Sequence, residues 1–442
     1  MGLTYRVIVA VLSIAGSFQP TPIRFSNDGA WCWFQDERAI IHDGKLILGA
    51  VAAGKRDPQR RGNVEVLTYD LDTGHTVRTV LHTQLQQDDH DSPAFIVLAD
   101  GRILAMYCKH GNENRIYYRT TREPGDTTQW QAEQTYCPSQ TSRVTYTNLL
   151  YLAAENTGKG RLYNFYRGYD RKSKPSWMTS DDEGHTWTSR GLVIDFSGSR
   201  NHRPYVKYAA NGRDTIHFLF TEGHPNEFDN SLYHAYYQGG VMCRSDGTPI
   251  RTLGAGPIHP HEATCVFRGD PNNVSWSSDI QLDEQGRPVA VYSVQKNAAG
   301  QPLAGPENGQ DLRYRYARWD GTRWHDHALA FAGTRLYPGE DDYTGNICLD
   351  PDDPKVVYLS SNVDPRNGGA NASGHYEIYR GKTSDLGRSW TFVAITRDSP
   401  VDNIRPIVPY WDADHSALLW LRGTYYRYTD YDLEIVGILT GD

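Results

Sequence analysis

The chain is poor in sulfur and in long apolar runs. Of its 442 residues, 4 are Met and 6 are Cys. Cys32, Cys108, Cys137, Cys243, Cys265 and Cys348 lie far apart, without a CxxC pair. No disulfide framework or finger-type metal spacing can therefore organise a chain of this size. No apolar run reaches the roughly 18 residues of a membrane-crossing helix, and mean hydropathy is −0.62, so no membrane insertion is expected. A basic excess is also missing: 45 Lys and Arg stand against 53 Asp and Glu, a formal charge of −8. Dedicated nucleic-acid binders carry a basic stripe, so nucleic acid is not an expected partner. A polyanionic substrate stays open, because only the local field at a cleft acts on it.

Glycine and aromatics are abundant, with 41 Gly, 29 Tyr and 11 Trp, a composition of short strands and tight turns. Alternating apolar runs recur at Lys45–Gly49, Arg102–Tyr107, Arg161–Tyr166, Thr215–Phe220 and Val356–Leu359. Turn signals such as His42-Asp43-Gly44, Asp100-Gly101 and Asn211-Gly212 precede them, the chemistry of hairpins that need positive φ. Length alone would suggest two or three domains, but an internal repeat argues otherwise. Ser180-Asp181-Asp182-Glu183-Gly184-His185-Thr186-Trp187 fits the Asp-box pattern Ser-x-Asp-x-Gly-x-Thr-Trp, and Thr383 to Trp390 fits it with Ser and Thr exchanged. Weaker copies end at Trp130 and Trp324. Asp181 and Asp385 are read as turn-formers that bond local backbone, not as catalytic acids. Trp130 and Trp187 stand 57 residues apart, and about seven such units fill the chain, within the range of β-propellers. The expected fold is all-β, a seven-bladed β-propeller of four-stranded antiparallel sheets over residues 21–442. Residues 1–20, with Arg6, the apolar Val7–Leu12 and the small Ala15-Gly16-Ser17, read as a signal peptide or a first strand. A cleaved signal would make the protein secreted or periplasmic.

A propeller assembles chemistry at the mouth of its channel from several blades. Three segments carry suitable side chains. His90 lies among Asp88, Asp89 and Asp91, and His110 follows across a strand-turn-strand unit; carboxylates there could orient and charge the imidazoles. Tyr146 and Arg167 fall on adjacent strands, where a cation could lower a phenol pKa from about 10, or where Tyr146 could simply pack. Arg200 to Tyr205, Glu222 to Pro225, Tyr233-His234 and His259 to Cys265 collect imidazoles and a thiol, ligand types suited to zinc, though not at a recognised spacing.

Gly29–Asp36, Asp88-Asp89-His90, Lys109-His110, Val144–Tyr146, Phe220–Pro225, Ser231–His234 and Asp402–Pro406 together resemble the BNR-repeat family that contains the ulvan lyases, closest to polysaccharide lyase families twenty-four and twenty-five. The likeness runs from about Asn27 to Thr440. It implies a monomeric lyase acting by β-elimination on ulvan, a sulfated rhamnose–uronic acid polysaccharide. It carries the catalytic roles to Tyr146, His90, His110 and Arg167, substrate contacts to Arg203, Tyr205 and His234, and a structural zinc to His224, His261 and Cys265, with His234 as an alternative ligand. No organic cofactor is implied. An insertion-like Ala153–Gly160 leaves Tyr151 as a rival to Tyr146, and Tyr166 adjoins Arg167. Two other readings compete. A sialidase-like hydrolase would need an arginine triad and an Arg-Ile-Pro start, and Pro22-Ile23-Arg24-Phe25 has the wrong order. A noncatalytic carbohydrate-binding propeller would use the Trp and Tyr rings as sugar platforms.

Overall fold

A computed structural model describes residues 21–169, 172–196, 203–296 and 310–441. The leader or strand read at residues 1–20, and Arg200 to His202, lie outside the described residues. Seven antiparallel sheets follow one another along the chain, and the first strands of successive sheets touch, which makes them the inner wall of a ring. Blade one begins at Ala39–His42, blade two at Ala94–Val97, blade three at Thr145–Leu152 and blade four at Val206–Ala210. Blades five, six and seven begin at Val274–Leu282, Ile347–Leu349 and Asp402–Ile407. Six sheets have four strands; blade four has six, because Pro249–Thr252 extends it and Thr264–Phe267 pairs with Leu232–Gln238. The strand Ile23–Ser26 closes the ring as the outer strand of blade seven, beside Asp430–Gly441. Helix is confined to four short 3-10 turns among the described residues.

Period-2 alternation explains the ring. A strand side chain points to one face and its neighbour to the other, so a sheet apolar on both faces must be covered twice. In blade one, Ile47 faces the cluster shared with blade two, while Leu46 and Leu48 join the cluster shared with blade seven. A buried cluster fills each of the seven junctions. The tryptophans of the repeat sit there: Trp187 is edge-on to Tyr118 of the preceding blade at 6.4 Å, and Trp390 to Tyr316 at 5.2 Å.

The repeat turn itself corrects one assignment. Asp182, not Asp181, makes it: Asp182 Oδ1 accepts from Thr186 N at 2.8 Å, and Ser180 Oγ accepts from Gly184 N at 2.9 Å. Asp385 does the same for Ser389 N at 2.8 Å. Asp181 points outward and accepts from Arg161 Nε at 2.6 Å.

The segment Ala30–Asp36 occupies the axis. Its backbone or side chains bond to Val51 of blade one, Asp89 and Ser92 ahead of blade two, Asn148 of blade three, Lys207 of blade four and Arg405 of blade seven. Trp33 packs on Trp276 of blade five at 5.2 Å and on Tyr343 ahead of blade six at 4.8 Å. The ring is thus plugged below its mouth by an aromatic floor. Among the described residues, no helix is long and apolar enough to cross a membrane.

Candidate active site

Blades two, three and four contribute the ionisable groups above that floor. Asp88 caps the short turn Asp89–Asp91 by accepting from His90 N at 3.0 Å. The same carboxylate takes His90 Nδ1 at 2.7 Å on Oδ1 and His110 Nδ1 at 2.9 Å on Oδ2. The two rings stack at 3.8 Å and 9°. With both Nδ1 atoms turned to Asp88, both Nε2 atoms face away from it. Burial opposes ionisation of Asp88, but His90 and His110 hold its carboxyl below the ordinary range. Burial likewise opposes a charge on His90, yet Cys32 and Asp88 raise it well above an ordinary imidazole. His110 is lowered to about 4 by burial and by the charge of His90. At neutral pH the pair therefore consists of one imidazolium and one neutral ring whose Nε2 is a bare acceptor.

Arg167 meets that acceptor. Its Nη2 lies 3.4 Å from His110 Nε2, and its Nη1 donates to Tyr205 Oη at 3.0 Å. The guanidinium also lies 4.8 Å from the Tyr146 ring centre and 5.5 Å from that of Tyr205. Backbone geometry aims these groups. Tyr146 has φ +67°, at a register shift between Thr145 and Asn148 where its strand pairs with Arg161–Tyr169. A non-glycine residue in this region costs on the order of 1–3 kcal/mol, and such strain gathers at working sites. Gly168, next to Arg167, has φ +122°, and a Cβ there would stand 2.0 Å from Arg143 O; only glycine allows Arg167 its position. The Tyr146 hydroxyl makes no hydrogen bond among the described residues, and the residue is 7% exposed.

The rival tyrosines separate on the same grounds. Tyr151 pairs with Leu162 near the far end of the strand, and Tyr166 is buried in the cluster between blades two and three. Arg203 sits on the rim and donates to Glu227 at 3.1 Å. Tyr205 stands in the mouth between Arg167 and His224, whose ring is 5.3 Å away.

Two expectations are corrected. His234 was expected to contact substrate; it is 1% exposed inside blade four, 3.0 Å from His217 Nδ1 and 2.8 Å from Ser245 Oγ. It fills a strand position whose face is covered by blade five's Trp324. The zinc set His224, His261 and Cys265 does not assemble either. His261 Nδ1 lies 3.3 Å from the Tyr233 hydroxyl, which donates to Glu222 at 2.7 Å. His224 turns elsewhere, toward Glu340 at 3.3 Å and Asp342 at 3.7 Å. His224, Glu340 and Asp342 lie close enough to meet on one ion, and Asn226 N lies 3.2 Å from His224 Nδ1. Burial opposes a charge on His224, but Tyr205, Glu340 and Asp342 raise its pKa to about 9, so the ring is held beside these carboxylates and away from His261 and Cys265. Among the described residues His224, His261 and Cys265 do not converge, so this set does not fit the zinc that the resemblance implies.

Sequence reasoning missed Glu340, Asp342 and Tyr428. Tyr428, from the hairpin of blade seven, stands edge-on to both imidazoles at 5.3 Å. It also missed the role of Arg405, which donates to Asp89 at 2.6 Å beside the Tyr425 hydroxyl at 2.8 Å and so locks blade seven to blade two.

The sequence model of BNR repeat-containing family members matches residues 52–332. The structure is similar to a polysaccharide lyase of the PL25 family, an ulvan lyase solved with -[GlcA(1-4)Rha3S]- bound. The TM-score is 0.67, with 14% identity over 95% of each chain. It is also similar to polysaccharide lyase Uly1, at a TM-score of 0.57 and 12% identity over 92% of this chain and 90% of the other. No curated protein matches the sequence. At such identities the likeness speaks for the fold, and chemistry has to be argued from the mouth.

Proposed function

The chain belongs to the BNR repeat-containing family, and from that premise we propose that its mouth is the active site of a polysaccharide lyase. The substrate we infer is a sulfated rhamnose–uronic acid polymer of the ulvan type, cut by β-elimination at the uronate. The observation that carries this reading is Arg167, a guanidinium in contact with two tyrosines and a bare imidazole nitrogen.

Elimination starts with loss of the proton at C5, which is hardly acidic while the adjacent carboxylate bears full charge. Arg167, with imidazolium His90 behind the His110 ring, would offset that charge and stabilise the enolate as it forms, an electrostatic effect often worth several kcal/mol. Tyr146, whose hydroxyl makes no hydrogen bond among the described residues, is a proton-handling group beside this clamp. On a glucuronate, H5 and the leaving O4 share one face, so groups on a single wall can serve both. Water is not consumed, and the product ends in an unsaturated uronate. Polymers with uronates and sulfates fit a mouth that is positive at Arg167 and His90 on a body of net charge −8.

Incubation with ulvan, chondroitin, heparan and pectin, followed by ultraviolet absorbance of the conjugated product, tests the proposal. The expected result is absorbance with ulvan that is lost in Tyr146→Phe. A saturated reducing end would instead indicate a hydrolase, and binding without cleavage a lectin.

A further inference from the structure

Two tyrosines flank Arg167, and the guanidinium treats them differently. Arg167 Nη1 donates directly to the Tyr205 oxygen at 3.0 Å. Tyr146 receives no such bond; it offers the guanidinium its ring, 4.8 Å from the centre. A charge-assisted bond to oxygen stabilises the phenolate. A cation over the ring face is satisfied by neutral phenol. The rings lie 6.4 Å apart, centre to centre, so both reach one bound sugar.

Resting on the lyase reading, we infer that Tyr205 is the base that removes the C5 proton and that Tyr146 is the acid that protonates the leaving O4. The groups facing Tyr205 favour that division. Arg167, donating to its oxygen at 3.0 Å, favours the phenolate there. Burial and neighbouring Tyr205 hold the Tyr146 phenol well above the ordinary value. Position agrees as well. C5 is bonded to the carboxylate carbon, so the base belongs beside the group that grips the carboxylate, and Arg167 is bonded to Tyr205. The acid has to be free to reach the glycosidic oxygen, and the Tyr146 hydroxyl makes no hydrogen bond among the described residues.

In the step, the C5–H pair moves into the carboxylate as the Tyr205 oxygen takes the proton. The pair then returns to form the C4=C5 double bond, C4–O4 breaks, and O4 takes the Tyr146 proton. Tyr205 ends as phenol and Tyr146 as phenolate, and proton exchange with solvent restores both.

A uronate analogue with nitrophenoxide at C4, a leaving group that needs no acid, separates the roles. On the natural polymer both Tyr146→Phe and Tyr205→Phe should lose about 10²–10⁴-fold in rate. On the analogue, Tyr146→Phe should recover to within about tenfold of wild type, by the same acid-catalysis argument, while Tyr205→Phe stays inactive. Recovery of Tyr205→Phe, or no recovery of Tyr146→Phe, overturns the division of labour and leaves the lyase reading standing. Failure of the wild type to form unsaturated uronate from any polymer removes the lyase reading itself. Should Tyr205→Phe not fold, a fluorinated tyrosine at position 205 keeps the shape and lowers the phenol pKa. It should move the acidic limb of the rate profile to lower pH, and an unmoved limb counts against Tyr205.

Discussion

Asp88 is the point at which the mouth is most exposed to a single change. It is 1% exposed and accepts from two imidazoles at 2.7 and 2.9 Å. Asp88→Asn keeps its shape, removes the charge and leaves one oxygen for two N–H donors. One imidazole then faces an amide N–H₂ and must turn or lose its proton. At an effective dielectric of about 20, an ion pair at this separation has a gross attraction of roughly 6 kcal/mol. Loss of one partner of a buried pair typically costs about 3–5 kcal/mol. Asp89 Oδ1, 2.9 Å from His90 Nδ1, remains as a second carboxylate, so the expected loss lies at the low end, about 3 kcal/mol. Urea unfolding at neutral pH measures it. Proton NMR of the His90 ring should show its pKa falling toward the ordinary value, since the charge that raised it has gone. Because His110 loses the bond that aims Nε2 at Arg167, the elimination rate should fall by about 10²-fold or more. A stability loss under about 1 kcal/mol, with His90 titrating as in wild type, would refute the claim that Asp88 charges and orients the pair.

The remaining predictions address other buried groups. Asp91 is fully buried, with no hydrogen-bond partner on either oxygen among the described residues, and burial with Asp88 raises it well above the carboxylate range. It keeps its proton in the folded state, which costs stability as pH rises past its unfolded value of about 4. Asp91→Asn should therefore be more stable than wild type at neutral pH and equal to it in acid, as read from melting temperature against pH. His110 is lowered to about 4 by burial and by the His90 charge, and His217 to about 4 by burial. Both rings stay neutral in the fold while the unfolded chain takes up protons near pH 6.5. Each should subtract stability as pH falls through that window, up to about 3 kcal/mol, and flat stability between these limits would contradict it. Arg167→Lys keeps a charge but loses the planar fork, and should lower the elimination rate by about 10²–10³-fold without a matching change in melting. Trp187→Ala should cost about 3–5 kcal/mol in chemical unfolding by opening the junction of blades two and three.

The ring was legible because its determinants are local. Turn signals, alternation and the repeat tryptophans lie within a few residues of one another, and blade spacing follows from them. Two adjacent aspartates in Ser180–Trp187 make the turn residue easy to misassign; the third position of the pattern is Asp182, and its hydrogen bond to Thr186 N agrees. His90 and His110 are legible because they flank one strand-turn-strand unit, and Arg167 because it falls on the strand next to that of Tyr146. Choosing among Tyr146, Tyr151 and Tyr166 needed the register shift after Thr145, which no alternation rule contains. Glu340 and Asp342 reach His224 from more than a hundred residues away, so no spacing could have paired them. The contact that the resemblance implies for His234 fails because the ring is turned into blade four, where another imidazole and a serine satisfy it.

The axial segment Ala30–Asp36 also orders events in time. Synthesis delivers it before any complete blade, but Lys207 and Arg405, which hold its carbonyls, come much later in the chain. Arg405 also braces Asp89, the neighbour of both Asp88 and His90. Such distant contacts are slow to form, and a nascent chain lacking its last sheet has neither a fixed axle nor an aligned imidazole pair. Reactivity at the mouth is thereby deferred until the ring has closed, and a truncated product would be inert before it was unstable.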